Sequence, residues 1–296
     1  MSKIRKTFVN LLSGMIVCIG VSCAYHIFHD YYAKCNGTLF HHSFLNEPLW
    51  DIPLSAEEKD HLFSIFSEPF YYLSQGKECI AFYSKDGRYV IKFFKKEHQT
   101  KQSVLQKIFP LSSLKRAFTL DNEKVLNKRR KWETNLRSSY TNYCAAFHEI
   151  KDKTGLIYIH FNKNRELSCK LKIINDFGKE HLLDLDQQEF VLQYKAVPLK
   201  AHFHNLIQKA DYSQIDLSLQ AIEQFLIERT LSGFTDPRRS LNINFGFLGE
   251  KPIQFDVGKL AKTPELKEDP EEEILRLSFQ LNCWKEKMLY PLAKAE

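Results

Sequence analysis

The chain has 296 residues, 44 % of them apolar and with 23 Phe and 13 Tyr, which gives room for one or two domains around a sizeable core. Its net charge of +6 is mild and the two signs are mixed along the sequence, so composition does not mark a nucleic-acid binder. Seven cysteines without C-x-x-C spacing, and the isolated pairs His41-His42 and His202-x-His204, point to neither a zinc site nor a disulfide framework.

The first predicted element is an anchor. Lys3, Arg5 and Lys6 precede an uncharged run from Thr7 to Tyr25, close to the ~20 residues that cross a bilayer as a helix, and these charges favour a cytoplasmic N-terminus. A cleaved signal peptide and a lipoprotein signal acylated at Cys23 compete for the same stretch. The length of the run and the lack of a small-x-small site stand against the first. Gly20, where an aliphatic residue is usual, stands against the second. Residues 1–28 are therefore expected as a basic tail and single-pass membrane anchor, and 29–64 as a tether with a short helix capped by Ser55, with Leu62, Phe63 and Phe66 on one side. Asn36-Gly37-Thr38 is a glycosylation sequon if the host is a eukaryote.

Three strands are predicted next, at Phe70–Leu73, Glu78–Tyr83 and Arg88–Phe94, joined by Ser74-Gln75-Gly76-Lys77 and by the hairpin turn Lys85-Asp86-Gly87. The third contains Lys92 in Tyr-Val-Ile-Lys-Phe-Phe. A lysine in a buried strand is costly without an anionic partner, so Lys92 either meets one or faces solvent on the polar side of the strand. A helix is expected from about Asn122 to Ile150, with Trp132, Leu136, Tyr140, Tyr143, Phe147 and Ile150 on its buried face and a basic, solvated first half from Lys124 to Lys131. Strands are then expected at Leu156–Phe161, Lys170–Ile174 and Phe190–Ala196. After Val197-Pro198 the pattern turns helical, with a stripe of Ile215, Leu219, Ile222, Leu226 and Thr230 that ends at Gly233.

The stretch from Thr235 to Lys259 carries the chemistry. It is predicted as a polar loop with Asp236, a strand from Ile243 to Leu248, a turn, and a second strand ending in Asp256-Val257-Gly258. Two carboxylates and a carboxamide, from Asn242 or Asn244, would then lie at one end of a ribbon. Phosphoryl transfer from a metal-bound nucleotide uses such a set: one carboxylate orients a hydroxyl, and a carboxylate with a carboxamide holds the metal. Strand periodicity would put Asn242 and Asn244 on one face, so either can be the ligand. A last helix starts at Asp269-Pro270-Glu271-Glu272-Glu273 and runs to Pro291.

This order resembles the protein-kinase-like fold from about Phe66 to Glu296, and in overall pattern it is similar to kinase-like proteins of chlamydiae and related bacteria. The resemblance implies an α+β, bilobal architecture with an antiparallel-sheet N-lobe over 65–198 and a small, mostly helical C-lobe over 199–296, preceded by the transmembrane helix. It implies ATP and Mg²⁺ as cofactors and assigns roles. Lys92 matches the third-strand lysine on the nucleotide phosphates, Asp236 the catalytic-loop aspartate, and Asp256-Val257-Gly258 the metal-binding Asp-Phe-Gly, with Asn244 or Asn242 as second metal ligand. Glu133 is the candidate partner of the lysine, Gly76 marks the place of the glycine-rich loop, and Gln193 completes the nucleotide set. The literal Asp176-Phe177-Gly178 precedes the catalytic-loop aspartate and is expected to be a turn.

Departures accompany the matches. Asn242 and Asn244 stand six and eight residues after Asp236, where H-R-D-x-x-x-x-N has five, and Phe234-Thr235 replaces His-Arg. One glycine stands in for three. After Gly258 come 38 residues without Ala-Pro-Glu, short for a peptide-substrate groove. The expected function is thus a membrane-anchored atypical kinase acting on a non-peptide or unknown acceptor. The alternative is an inactive pseudokinase that serves as a membrane-tethered module for an unknown protein partner.

Overall fold

The computed structural model describes residues 44–76, 78–95, 122–237 and 241–289, with isolated helical positions at 14, 18 and 20–22. For 122–125, 242, 243 and 289 it gives backbone conformation alone. The anchor expected over 7–25 and the sequon at Asn36 fall otherwise outside the described residues. Among the described residues no helix is long and apolar enough to cross a membrane.

Helix α1 (Ala56–Phe66) begins with the expected cap. Ser55 Oγ accepts the Glu58 N–H at 3.2 Å and Glu58 Oε2 accepts the Ser55 N–H at 2.9 Å. It buries Leu62, Ile65 and Phe66, whereas Phe63 stays exposed. Its approach is packed chain, not a free tether: Trp50 lies in the core, edge-on to Tyr140 at 5.2 Å, and Glu47 N–H donates to Asn162 Oδ1 at 2.8 Å.

Strands β1 (Phe70–Gln75), β2 (Cys79–Ser84) and β3 (Tyr89–Phe94) form a meander, followed by helix α2 (Asn122–Glu149) and the single turn α3 (Lys151–Thr154). Strands β4 (Leu156–His160), β5 (Lys170–Ile174), β6 (Glu180–Asp184) and β7 (Phe190–Tyr194) complete a seven-stranded sheet in the order β4-β7-β3-β2-β1-β5-β6. The sheet is mixed, a departure from the antiparallel expectation: β5 pairs with β1 in parallel, Phe70 opposite Ile173. The β5–β6 hairpin is the cause, since it attaches beside β1 as an addition to the antiparallel meander. Asp176-Phe177-Gly178 is its turn, as expected, with Gly178 at φ 75° and Asn175 Oδ1 accepting the Phe177 and Lys179 N–H groups.

Both faces of the sheet are covered. One packs Phe70, Ile80, Phe82, Ile91, Phe93 and Phe190 beneath α1. The other carries Phe94, Ile159 and Val191 against Leu136, Tyr140 and Tyr143 of α2. All six residues of β3 are consequently buried, and the alternation that allowed Lys92 a solvent face has none to offer.

After β8 (Val197–Pro198) come α4 (Leu199–Gln208), α5 (Tyr212–Leu231), β9 (Phe234–Thr235), α6 (Leu241–Asn244), β10 (Phe245–Leu248), β11 (Lys251–Gln254), β12 (Ala261–Lys262) and α7 (Glu271–Leu289). Helices α4, α5 and α7 enclose a second core with Phe245 and Phe247 of β10. The strand expected from Ile243 starts two residues later, because Leu241–Asn244 close a helical turn whose Leu241 is buried in this core.

Buried Glu189, just before β7, is held where α2 crosses the sheet. Tyr140 Oη donates to its Oε2 at 3.0 Å, and burial pushes its carboxyl up to about 7. Because the folded state keeps this proton while the unfolded chain has released it, Glu189 removes stability as pH rises between about 4.5 and 7. Glu189→Gln is expected to abolish that loss. Chemical denaturation should show wild type losing roughly 3 kcal/mol relative to the variant between pH 5 and pH 8, and parallel profiles would contradict the assignment.

Candidate active site

Lys92 is buried on the face of β3 that looks toward α2 and the β10–β11 ribbon, and its Nζ donates to the Phe255 carbonyl at 2.6 Å. The ammonium also lies 5.6 Å from the Phe255 ring centroid. This contact, spanning 163 positions in sequence, brings the third strand against the residue just before Asp256. Asp256 itself is partly exposed. Lys92 and Asp256 both act electrostatically on the Cys79 thiol of β2, which burial pushes up.

Helix α2 fixes the other side of Asp256-Val257-Gly258. Asn142 Nδ2 donates to the Gly258 carbonyl at 3.0 Å, and the Val257 N–H bonds the Tyr143 hydroxyl, whose ionisation burial opposes strongly. A Cβ on Gly258 would stand 2.5 Å from Ser139 Oγ, so only glycine allows the helix this close. Val257 and Leu260 are then buried with Tyr140 and Phe161.

Asp236, buried just beyond β9, faces a ring of polar groups. Its Oδ2 accepts from Asn244 Nδ2 at 3.1 Å and from Gln254 Nε2 at 2.9 Å. Gln254 Nε2 also approaches the Asp256 carbonyl at 3.5 Å, so one carboxamide links the two aspartates. Gln254 Oε1 accepts from Arg229 Nη1 of α5 at 2.8 Å. Burial lowers the Arg229 guanidinium to about 10, against the opposing influence of Asp236 and Glu273. Beside this, Thr235 Oγ1 donates to Glu273 of α7, which is also bonded by Arg276 Nε at 2.6 Å.

Lys92, Asp236, Asn244 and Asp256 are therefore gathered around the end of one ribbon. The side chain of Asn242 lies outside the described residues. Gly76 ends β1, exposed, its N–H donating to Cys79 O at 2.9 Å and its carbonyl accepting from Lys95 Nζ at 2.6 Å. Gln193 is buried in β7, opposite Val90, with Oε1 lacking a hydrogen-bond partner. Glu133 is not brought to Lys92: it pairs with Arg129 at 3.1 Å on the outer part of α2. Residues 126–131 of α2 are exposed, and the contacts of the helix with the Asp256-Val257-Gly258 segment begin at Ser139. In the Gln75–Glu78 turn, Glu78 reaches Lys259 at 3.6 Å, a contact across the site that spacing alone did not suggest.

With Asn244 Nδ2 committed to Asp236, its Oδ1 and the Asp256 carboxylate are the oxygen donors that could serve a hard cation such as Mg²⁺. Among the described residues there is no group of three or more His, Cys, Asp or Glu that could hold a metal ion. A cavity of about 520 Å³ opens elsewhere, lined by Ile52, Leu62, Phe147, Lys151 and Tyr194, and none of the residues gathered at the ribbon borders it.

Gly258→Ala is expected to cost about 1–3 kcal/mol through the Ser139 contact. Ser139→Ala alone should be nearly neutral, because it deletes a buried hydroxyl without a hydrogen-bond partner, and it should recover most of the loss in the double variant. Denaturation of the four proteins measures this coupling, and additive losses would show that Gly258 is required for another reason.

No family model and no curated protein matches the chain, which leaves the likeness to chlamydial proteins without further support. Among solved structures, 73 % of the chain aligns with 75 % of a chain from the ternary complex of streptomycin, ATP and APH(2'')-IIa, at 13 % identity and a TM-score of 0.26. At that score the two chains superpose too loosely for residues to be transferred between them.

Proposed function

We propose that the chain is an atypical, protein-kinase-like phosphotransferase that uses ATP and Mg²⁺ and acts on a non-peptide acceptor, tethered to a membrane through residues 7–25. The observation that carries the reading is the hydrogen bond from Lys92 to the Phe255 carbonyl, because it places a buried strand lysine beside a part-exposed aspartate in an Asp-x-Gly turn. In this reading Lys92 holds nucleotide phosphates, Asp256 and Asn244 Oδ1 hold the metal, and Asp236 orients the acceptor hydroxyl. The bound Mg²⁺ would offset charge on the transferred phosphoryl group. Gln193, on the same face of the sheet as Lys92, and Gly76, in the β1–β2 connection, border the nucleotide.

The acceptor class follows from the segment after Gly258. Only residues 259–270 separate it from α7, and within them Ala261 and Lys262 pair with Thr235 and Phe234. A segment so short and already paired offers no extended edge to a peptide, whereas a hydroxyl on a small molecule or lipid needs only the mouth of the site.

A pseudokinase is the second reading, and Glu78 favours it: a carboxylate at the turn that would cover the phosphates, paired to Lys259, opposes a polyanion there. Full-length protein separates the two. Mg-ATP at a hundredfold excess over Kd should stabilise it by about 2.7 kcal/mol and raise Tm by several degrees. Asp256→Ala should remove the Mg²⁺-dependent part of that shift and Lys92→Met most of the remainder. Absence of any shift at millimolar nucleotide would overturn the nucleotide site, and a shift without phosphoryl transfer to any acceptor or to water would favour the pseudokinase.

A further inference from the structure

We infer that Arg229 is a positioning residue for Asp236 and acts through the carboxamide of Gln254. The inference rests on the reading above, in which Asp236 orients the acceptor.

Arg229 occupies the inner stripe of α5, three residues after Leu226, and is 1 % exposed. A guanidinium so placed is expensive to desolvate and is usually matched by a carboxylate. Here the hydrogen bond it makes is to an amide oxygen, with its plane 5.8 Å from the Phe245 ring, and its Nε and Nη2 have no hydrogen-bond partner. A costly cation thus stands at a position where packing alone would take leucine or methionine.

Its effect on Gln254 explains the cost. A primary amide has two faces of similar shape and opposite polarity, so its orientation is set by its neighbours. Arg229 has only donors to offer, which requires Gln254 Oε1 to face it. The amide nitrogen is then turned toward Asp236 Oδ2 at 2.9 Å and the Asp256 carbonyl at 3.5 Å. Rotating the amide would set its N–H groups against a guanidinium and its oxygen against a carboxylate. Two amides, Asn244 and Gln254, thus grip one oxygen of Asp236 and fix the plane of its carboxylate. Arg229 holds one of those amides in the only useful orientation.

The experiment compares Arg229→Met, Arg229→Lys, Gln254→Met and the Arg229→Met/Gln254→Met double variant, in full-length protein with Mg-ATP. Crystal structures are expected to show the Gln254 nitrogen out of hydrogen-bond distance of Asp236 in Arg229→Met and in place in Arg229→Lys. Steady-state kinetics should show kcat falling about ten- to hundredfold in Arg229→Met and Gln254→Met, as for a displaced catalytic group. KM for ATP should stay within about twofold, the double variant should be no worse than either single one, and Arg229→Lys should recover part of the rate. An unmoved Gln254 in Arg229→Met, or independent losses that multiply in the double variant, would overturn the relay. If wild type binds Mg-ATP but transfers nothing, the catalytic reading fails, and the crystal structures alone decide whether Arg229 orients Gln254. Should Arg229→Met not fold, Gln254→Glu serves instead: a carboxylate there pairs with Arg229 and repels Asp236, so an unmoved Asp236 would overturn the proposal.

Discussion

The site depends on one constraint, that a lysine in a strand covered on both faces must find an oxygen. Lys92 cannot reach water along β3, because α1 covers one face of the sheet and α2 with the ribbon covers the other. Its ammonium takes the Phe255 carbonyl, a backbone acceptor that itself needs a donor. One bond therefore meets two obligations and locks the sheet to the ribbon at the residue before Asp256. An ammonium has three donors, so this bond leaves capacity for an anionic ligand at the same point. The contact that stabilises the fold also aims the charge.

A second obligation is met around Asp236, where amides, carboxylates and guanidinium groups orient one another. Arg229 dictates the face of Gln254, Gln254 and Asn244 both address Asp236 Oδ2, and Thr235 and Arg276 tie Glu273 alongside. Such a network is rigid because no member can rotate without orphaning its neighbour in a medium of low dielectric. In the proposed reading, that rigidity suits Asp236 to orient a hydroxyl. Arg229, near the end of α5, and Arg276, in the second turn of α7, both belong to this network.

Which parts were legible in the sequence follows from what each residue depends on. Lys92, Asp236 and Asp256 stood out because charged side chains in or beside strands demand a reason, and their order along the chain suggested one. The caps of α1 and the turn at Gly178 were legible because their chemistry is local. Glu133 misled because a helix's buried stripe shows which side faces the core but not where along its length the core begins. Only the second half of α2 reaches the site. The β5–β6 hairpin escaped partly because Glu180–Asp184 alternates weakly at an exposed edge, with Leu182 facing solvent. Arg229 and Gln254 were legible in principle: each is a polar residue on an apolar periodicity, the same anomaly that flagged Lys92, but in neither case does a known motif draw attention to it.

The pair Asn242 and Asn244 shows how local geometry changes what spacing implies. On a strand, two residues apart share a face, and the pair could not be separated. In the helical turn that forms instead, positions two apart are rotated by roughly 200° and no longer share a face. Asn244 turns its carboxamide to Asp236, and as the last helical position it hands the chain directly to β10, whose pairing with β11 aligns Phe245 with Gln254. Phe255 N–H then bonds the Asn244 carbonyl at 2.8 Å. Backbone and side chain of the same asparagine thus connect to both aspartate-bearing segments. The longer spacing after Asp236 leaves room for the turn that brings the carboxamide round to it.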